Sequence, residues 1–275
     1  MEIATSCSSG YGKPPWIFKG SALYQFHLVK TEIARVIIPK ELRLVEAFGY
    51  TLGGFFLAKY NESPFGPFDE LVTIAGIVRN PPTPTSHAWA ARVYVNSDDA
   101  CHHGREEFGL PSQVATFSKS ISARPERPEE KGSGSDVNIH IAEIDGPVAT
   151  SLYDIRLDPP VFNMNPFKWM ASSPMITMSL PSFSGHTEHK PHLLKYSCQI
   201  ECRVKPTMPV RVLESLDTSE SENLEADESL KKREMSILVM LSRPILALEF
   251  NCLKMEVQPP DVVSKESHDP LEHGH

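Results

Sequence analysis

The chain has 275 residues, of which 40% are apolar and 23% are charged, and its formal net charge is −8 at pH 7. These proportions are typical of a globular protein that is long enough to bury a substantial core. The acidic balance argues against nucleic acid as the main partner.

The cysteines and the apolar runs indicate in which kind of cellular compartment the protein is expected. The five cysteines are irregularly spaced and do not form the pattern of a secreted disulfide framework, so we expect a reducing environment. No apolar run approaches the roughly 20 residues of a membrane-spanning helix, so no transmembrane segment is predicted. The first twenty residues include Glu2 and no arginine, which is unlike a transit peptide. We therefore expect an intracellular protein without an evident cleavable transit peptide.

Taken in chain order, most of the predicted elements are strands. Two short helices are also predicted, at residues 31–38 and 100–108, each after residues that can cap a helix. Glycines such as Gly49 and Gly53 interrupt the strand pattern and indicate bends. Together these features predict a mainly β (α+β) fold, a curved or closed antiparallel barrel with a few short helices. The predicted strands are residues 23–29, 42–60, 70–78, 88–95, 114–121, 137–144, 149–157, 193–204, 237–241 and 246–257.

The segment composition predicts one domain, residues 1–263, followed by a flexible tail at 264–275. Two polar stretches, residues 123–136 and 215–234, are predicted to be loop insertions. For the second stretch a disordered loop and a solvated helical loop both remain open. The mixed segment 159–180 is left unassigned, and the serines that follow it are predicted to form a turn.

No short motif predicts a cofactor or a metal. The chain has no glycine-rich phosphate loop and no G-x-S-x-G elbow. His102 and His103 are adjacent on a predicted helix and point about 100° apart, so they are poorly placed to share an ion. We therefore predict neither a metal site nor a cofactor.

Two charged residues lie within apolar strands. Glu70 falls among Phe68, Leu71 and Val72, and a buried carboxylate must be paired or have a raised pKa. Arg92, at the centre of another apolar strand, is a natural partner for a buried carboxylate. For Glu70, both a functional role and an outward-facing position remain open. For Arg92, a purely structural ion pair remains open as well.

The segment from Gly104 to Pro111 reads GREEFGLP. It resembles a motif of acetoacetate decarboxylase-like proteins, in which two lysines follow the proline. In that family the first lysine forms a Schiff base with a β-keto acid, and the second lowers the pKa of the first. In this chain the two positions are Ser112 and Gln113, and neither residue has the primary amine that a Schiff base requires.

The resemblance also assigns the other positions of the family's active site. Glu70 falls at an active-site glutamate, Phe55 at a second carboxylate, and Leu28 near a carboxylate-binding arginine. Of the catalytic set only Glu70 is retained. We therefore expect no acetoacetate decarboxylase activity and a cavity that is more apolar than in those enzymes.

A more extensive resemblance covers almost the whole chain. Five segments are similar to plant neoxanthin-deficient proteins, a lineage with this fold: residues 11–20, 47–56, 99–104, 180–185 and 194–198. The resemblance implies a role in forming neoxanthin from violaxanthin, upstream of abscisic acid. It leaves the cytoplasm and the plastid both open as compartments.

These observations together predict a pocket for an apolar small molecule, a xanthophyll. Glu70 is the predicted catalytic residue, and Ser112, Gln113, Phe55 and Arg92 are the predicted ligand-binding residues. Two alternatives stay open. The protein is either an isomerase or lyase that acts on a xanthophyll epoxide, or a non-catalytic protein that binds the pigment or assists a xanthophyll-metabolising enzyme.

Overall fold

A closed barrel of seven strands forms the centre of the molecule. The computed structural model describes residues 12–81, 83–123, 135–157, 174–215 and 228–263. The barrel strands follow one another in space as β1, β4, β5, β6, β10, β11 and β13, and β13 pairs with β1 to close the ring. Their bounds are β1 (Trp16–Lys30), β4 (Tyr50–Glu62), β5 (Phe68–Arg79), β6 (Ser86–Val95), β10 (Met175–Gly185), β11 (Leu193–Thr207) and β13 (Arg243–Val257).

A second sheet branches from the barrel at β6, and short strands extend both sheets. The branch runs β7–β8–β9–β12. Its strands are β7 (Ser112–Ala123), β8 (Ser135–Asp145), β9 (Val148–Leu157) and β12 (Arg211–Glu214); the remaining short strands are β2 (Arg43–Leu44), β3 (Glu46–Ala47) and β14 (Asp261–Val262). Within the described residues there are three helices, α1 (Thr31–Ile37), α2 (Asp98–Phe108) and α3 (Glu228–Met240).

Most neighbouring strands are antiparallel, as predicted, but β6 makes two parallel pairings. It pairs with β10 at Ala88 and Trp89, and with β7 from Val93 to Val95. The second pairing is parallel because helix α2 connects β6 to β7 as a crossover. The two partners lie along different stretches of β6, so the strand forks into two sheets.

Three apolar clusters follow from the alternation of side chains along the strands. The first fills the inside of the barrel and includes Phe56 and Phe250. The second lies between the outside of the barrel and the branching sheet, and includes Phe55 and Ile141. In the third, helices α1 and α3 pack over the barrel with residues such as Ala34.

The two early helices confirm the sequence-based assignments. Helix α1 begins at Thr31, and α2 is capped by Ser97, whose hydroxyl accepts a hydrogen bond of 3.2 Å from the backbone of Ala100. Within the described part of the chain, no helix combines the length and hydropathy needed to cross a bilayer.

Two local predictions were wrong. Residues 237–241 were predicted as a strand, yet 237–240 form the last turn of α3, because a short apolar run does not distinguish a strand from a buried helix. The serines around 180–184 were predicted to form a turn, yet they lie in β10. Strand β10 tolerates Pro181 because it pairs with β6 only at Ser182 and Phe183, which leaves one edge free over most of its length.

The predicted loops and tail fall largely outside the described residues. These are positions 124–134, 158–173, 216–227 and 264–275. Residues 228–234, assigned by prediction to the second insertion, form the first half of α3.

Candidate functional site

The barrel encloses a cavity of about 320 Å³ whose wall is mainly aromatic and aliphatic. Phe56, Phe68 and Val72 contribute to this wall, and Ile77 lies at its far end on β5. The lining positions on β5 run from Phe68 to Ile77, past two register shifts of the strand near Ile74.

Glu70 is the carboxylate on this wall. It shares the inward face of β5 with Phe68 and Val72 because alternate residues of a strand face the same side. The hydroxyl of Tyr60, on the neighbouring strand β4, donates a hydrogen bond of 3.0 Å to its Oε2. Burial raises the pKa of Glu70 to about 7, and the hydrogen bond from Tyr60 opposes part of that rise. Glu70 can therefore hold or release a proton near neutral pH.

Three other polar side chains of the cavity wall, Tyr60 beside Glu70 and Tyr196 and Cys198 on β11, stay protonated at neutral pH. Burial, with a contribution from the charge of Glu70, raises the pKa of Tyr60 and Tyr196 well above the usual range and that of the Cys198 thiol to about 12. Tyr196 is also hydrogen bonded to Ser182 on β10. These groups can act as hydrogen-bond donors around the single carboxylate.

Two histidines, His87 and His103, also line this wall, and burial lowers the pKa of both imidazoles. The pKa of His103 falls to about 4, and its ring packs edge-on against Trp16 with 4.6 Å between the ring centroids. His103 is therefore neutral at physiological pH. His102, the next residue on α2, is exposed, so the two imidazoles diverge. No cluster of three or more potential ligands is placed to hold a metal within the described ranges.

Ser112 lies on the cavity wall at the start of β7. The corner that places it begins with Gly109, which ends α2 in the left-handed region at φ 57°. A side chain at Gly109 would come within 2.7 Å of Lys190 Cβ, so only glycine fits. Gly104 is also closely packed, because a Cβ at that position would lie 2.7 Å from the hydroxyl oxygen of Ser112.

Phe55 lies on the opposite face of the barrel wall from the cavity, contrary to the prediction. Its side chain is fully buried in the cluster between the barrel and the branching sheet, while Phe56, the next residue, lines the cavity. The difference is one residue of strand register, which moves a side chain to the other face. Leu28 is likewise absent from the described residues that line the cavity.

Gln113 and Arg92 also face away from the cavity. Because successive strand residues point to opposite faces, Ser112 faces the barrel while Gln113 accepts a hydrogen bond of 2.9 Å from Arg105 outside it. Arg92 is buried on that outer side. No ion pair joins Arg92 to Glu70, whose partner is Tyr60.

The sequence analysis did not identify Tyr60, Tyr196, Cys198 or Ser182 as cavity residues. The alternation along β11 places Tyr196 and Cys198 on one face, but the sequence does not show that β4, β10 and β11 line the same cavity. The described residues that line the cavity include no lysine, arginine or aspartate. The site can therefore bind an apolar molecule and exchange one proton through Glu70.

The family and fold follow from comparison with known proteins. Residues 1–166 match the family model for acetoacetate decarboxylase (ADC). The chain is 53% identical to Protein NEOXANTHIN-DEFICIENT 1 of Solanum lycopersicum, over 98% of this chain and 99% of that protein. It is 52% identical to the protein of the same name from Arabidopsis thaliana, over 93% and 96% of the two chains.

A solved structure supports the fold. The crystal structure of acetoacetate decarboxylase from Legionella pneumophila matches with a TM-score of 0.53 and 13% identity, covering 92% of this chain and 88% of that one. The chain therefore belongs to the acetoacetate decarboxylase family and, within it, to the group of plant proteins named NEOXANTHIN-DEFICIENT 1.

Proposed function

We propose that this protein acts in the formation of neoxanthin and that its barrel cavity receives one end of a xanthophyll molecule. The supporting observation is the mainly aromatic and aliphatic cavity with a single carboxylate, Glu70, and no lysine among its described lining residues. Pockets for small molecules are mostly apolar and contain a few placed polar groups. The name of the relatives supplies the pathway.

The cavity suits an apolar ligand better than a keto acid. A keto acid needs a cation to bind its carboxylate and an amine to form a Schiff base, and the described lining has neither. A volume of about 320 Å³ is near the lower limit of roughly 300–1,000 Å³ for ligand pockets. It accommodates the cyclic end group of a xanthophyll and the start of its polyene rather than the whole molecule.

The proposed reaction is the isomerisation of a violaxanthin end group. The C–H bond on the polyene carbon next to the epoxide-bearing ring breaks, its electron pair forms the allene, and the epoxide C–O bond opens. The oxygen then gains a proton to become a hydroxyl, so no atom or electron is gained or lost overall. Glu70, whose pKa is about 7, can take up one proton and supply another. Tyr60 can donate a hydrogen bond to the carboxylate or to the developing alkoxide.

A non-catalytic role is the second candidate. One observation favours it: the described wall supplies a single carboxylate, and burial lowers the pKa of its two imidazoles, His87 and His103, while the reaction needs both proton removal and proton delivery. In this role the protein binds the xanthophyll end group and assists another enzyme.

Incubation of the purified protein with violaxanthin in detergent micelles separates the two roles. The catalytic proposal predicts that neoxanthin accumulates with the wild-type protein and not with Glu70→Gln, which keeps the shape of the side chain but cannot exchange the proton. Pigment that binds and is recovered unchanged supports the non-catalytic role. Failure of violaxanthin to bind at all would refute the assignment of the cavity to a xanthophyll.

A further inference from the structure

A second cleft opens outside the barrel, where β6 forks. Strand β6 pairs with β10 at Ala88 and Trp89 and with β7 from Val93 onward. Along residues 90–92 that edge of the strand has neither partner, and a cleft of about 470 Å³ occupies the gap. Its other walls are the corner before β7, the turn after β10 and the first turns of α3. We call it the fork cleft.

Arg92 lies in the wall of the fork cleft, and no hydrogen bond or ion pair joins it to a described residue. Its exposed fraction is only 9%. A guanidinium with so little exposed surface is normally paired with a carboxylate. The nearby acid Glu143 is already bound to Arg233 at 2.9 Å. Tyr94 does not neutralise Arg92 either, because burial raises its pKa to about 12.

Arg105 reaches the same cleft from α2. Its Nε donates to the carbonyl of Ser112 at 2.8 Å and one terminal nitrogen donates to Gln113 at 2.9 Å. No ion pair joins it to a described carboxylate. An arginine carries five N–H donors, so Arg105 retains donors that these two bonds do not use.

The other titratable groups of the fork cleft already have partners, and that of His186 is Glu41, outside the cleft, at 3.2 Å. Lys232 binds Glu228 at 2.9 Å on α3. Glu188 lies 3.3 Å from His189, which also contacts Glu106 at 2.8 Å. Arg92 and Arg105 therefore remain as two cations without a carboxylate partner in the described structure.

We propose that the fork cleft is a binding site for the carboxylate or phosphate group of a small molecule, held by Arg92 and Arg105. A guanidinium offers parallel donors that match either anion. Bound anion would supply the negative charge that the buried Arg92 lacks. Ala90, Leu110 and Ser112 line both this site and the barrel cavity. The site does not depend on the function proposed for that cavity.

The test compares anions at constant ionic strength. Thermal unfolding is followed in sodium chloride, in sodium phosphate and in sodium malonate. Binding to the folded state raises the unfolding temperature as the anion concentration rises, and the phosphate and malonate arms distinguish the two chemistries. We expect Arg92→Gln to weaken the anion affinity by more than about tenfold, as for loss of a charged hydrogen bond.

Two variants serve as controls. Arg43→Gln removes an exposed arginine on β2, outside the cleft, and Glu70→Gln changes only the barrel cavity. Both should keep the wild-type response to the anion. A loss of response in Glu70→Gln would show that the anion binds in the barrel instead.

A measurement on the wild-type protein covers the case in which Arg92→Gln does not fold. Phenylglyoxal modifies arginine side chains, and mass spectrometry gives the extent at each one. Bound phosphate or malonate should protect Arg92 and Arg105 and leave Arg43 unprotected. Equal unfolding temperatures in all three salts, or equal protection of all three arginines, would overturn the proposal.

Discussion

The hydroxyl of Tyr60 and the carboxylate of Glu70 are hydrogen bonded at 3.0 Å inside the barrel. The two residues lie on neighbouring strands, where Tyr60 pairs with Phe68 and Ala58 with Glu70. Tyr60 is almost fully buried, so this bond sets the local environment of the carboxylate. The pKa of Glu70 reflects burial, which raises it, and the Tyr60 bond, which lowers it.

Glu70→Gln should change how stability depends on pH. The pKa of Glu70 rises from 4.5 to about 7 on folding, so between these values the folded state binds more protons than the unfolded state. The free energy of unfolding contributed by Glu70 therefore falls as pH rises from 4.5 to 7. Relative to Glu70→Gln, the wild-type protein should lose on the order of 2 kcal/mol across this window. Denaturant unfolding at a series of pH values measures the difference, and parallel curves would contradict it.

Tyr60→Phe should raise the pKa of Glu70 further. The variant removes the hydrogen bond that favours the charged carboxylate and leaves the burial that opposes it. The carboxyl resonance in a carbon-13 NMR titration reports this pKa directly. Tyr24→Phe is the matched control, since Tyr24 lines the same cavity without a hydrogen bond to Glu70. An unchanged midpoint in Tyr60→Phe would show that this bond does not control the carboxylate.

Phe55→Ala and Phe56→Ala should have separable effects. Phe55 is fully buried outside the cavity, so its truncation should destabilise the protein by about 3–5 kcal/mol and leave xanthophyll binding by the folded fraction unchanged. Phe56→Ala enlarges the cavity and should change the affinity. Fluorescence quenching by added violaxanthin gives the affinity, and chemical unfolding gives the stability. Weaker binding in Phe55→Ala alone would place the ligand outside the barrel.

Gly104→Ala should be destabilising because the new methyl group would lie 2.7 Å from the hydroxyl oxygen of Ser112. Overpacking of this kind costs about 1–3 kcal/mol. Ser112→Ala removes the oxygen, so the double variant should recover most of the loss. A double-mutant cycle of unfolding free energies measures the coupling. Additive effects would show that the two side chains do not meet.

Borohydride should not trap acetoacetate on this protein. Trapping requires an amine that forms a Schiff base, and the described cavity wall has no lysine. Mass spectrometry after reduction should find no modified lysine, whereas an active acetoacetate decarboxylase treated in parallel should be labelled. A specifically labelled lysine in this protein would contradict the absence of Schiff-base chemistry.

The alternation of side chains was the most reliable guide to the fold. It located most barrel strands, while residues that can cap a helix located the two early helices. It failed for residues 237–240, where a short apolar run fits either structure, and for β10, where Pro181 and several serines conceal a strand with a free edge.

The candidate site was only partly predictable. Glu70 stands out because it is a carboxylate within an apolar strand, and Ser112 because the Gly-x-Pro corner fixes its place. Phe55 was misplaced because the inward face of β4 depends on one residue of register. Tyr60 and Cys198 come together only when β4, β5 and β11 curve into a closed ring, and the neighbours in a ring are not encoded by local pattern.

The fork in β6 has a consequence for how the molecule unfolds. Barrel and branching sheet share the backbone hydrogen bonds of one strand, and Tyr94 on that strand belongs to the core between them. Detaching the branching sheet would expose this shared core, so we expect a single cooperative transition with the slowest amide hydrogen exchange in β6. A shift of the branching sheet would also move Ser112, because the residue that begins β7 forms part of the cavity wall.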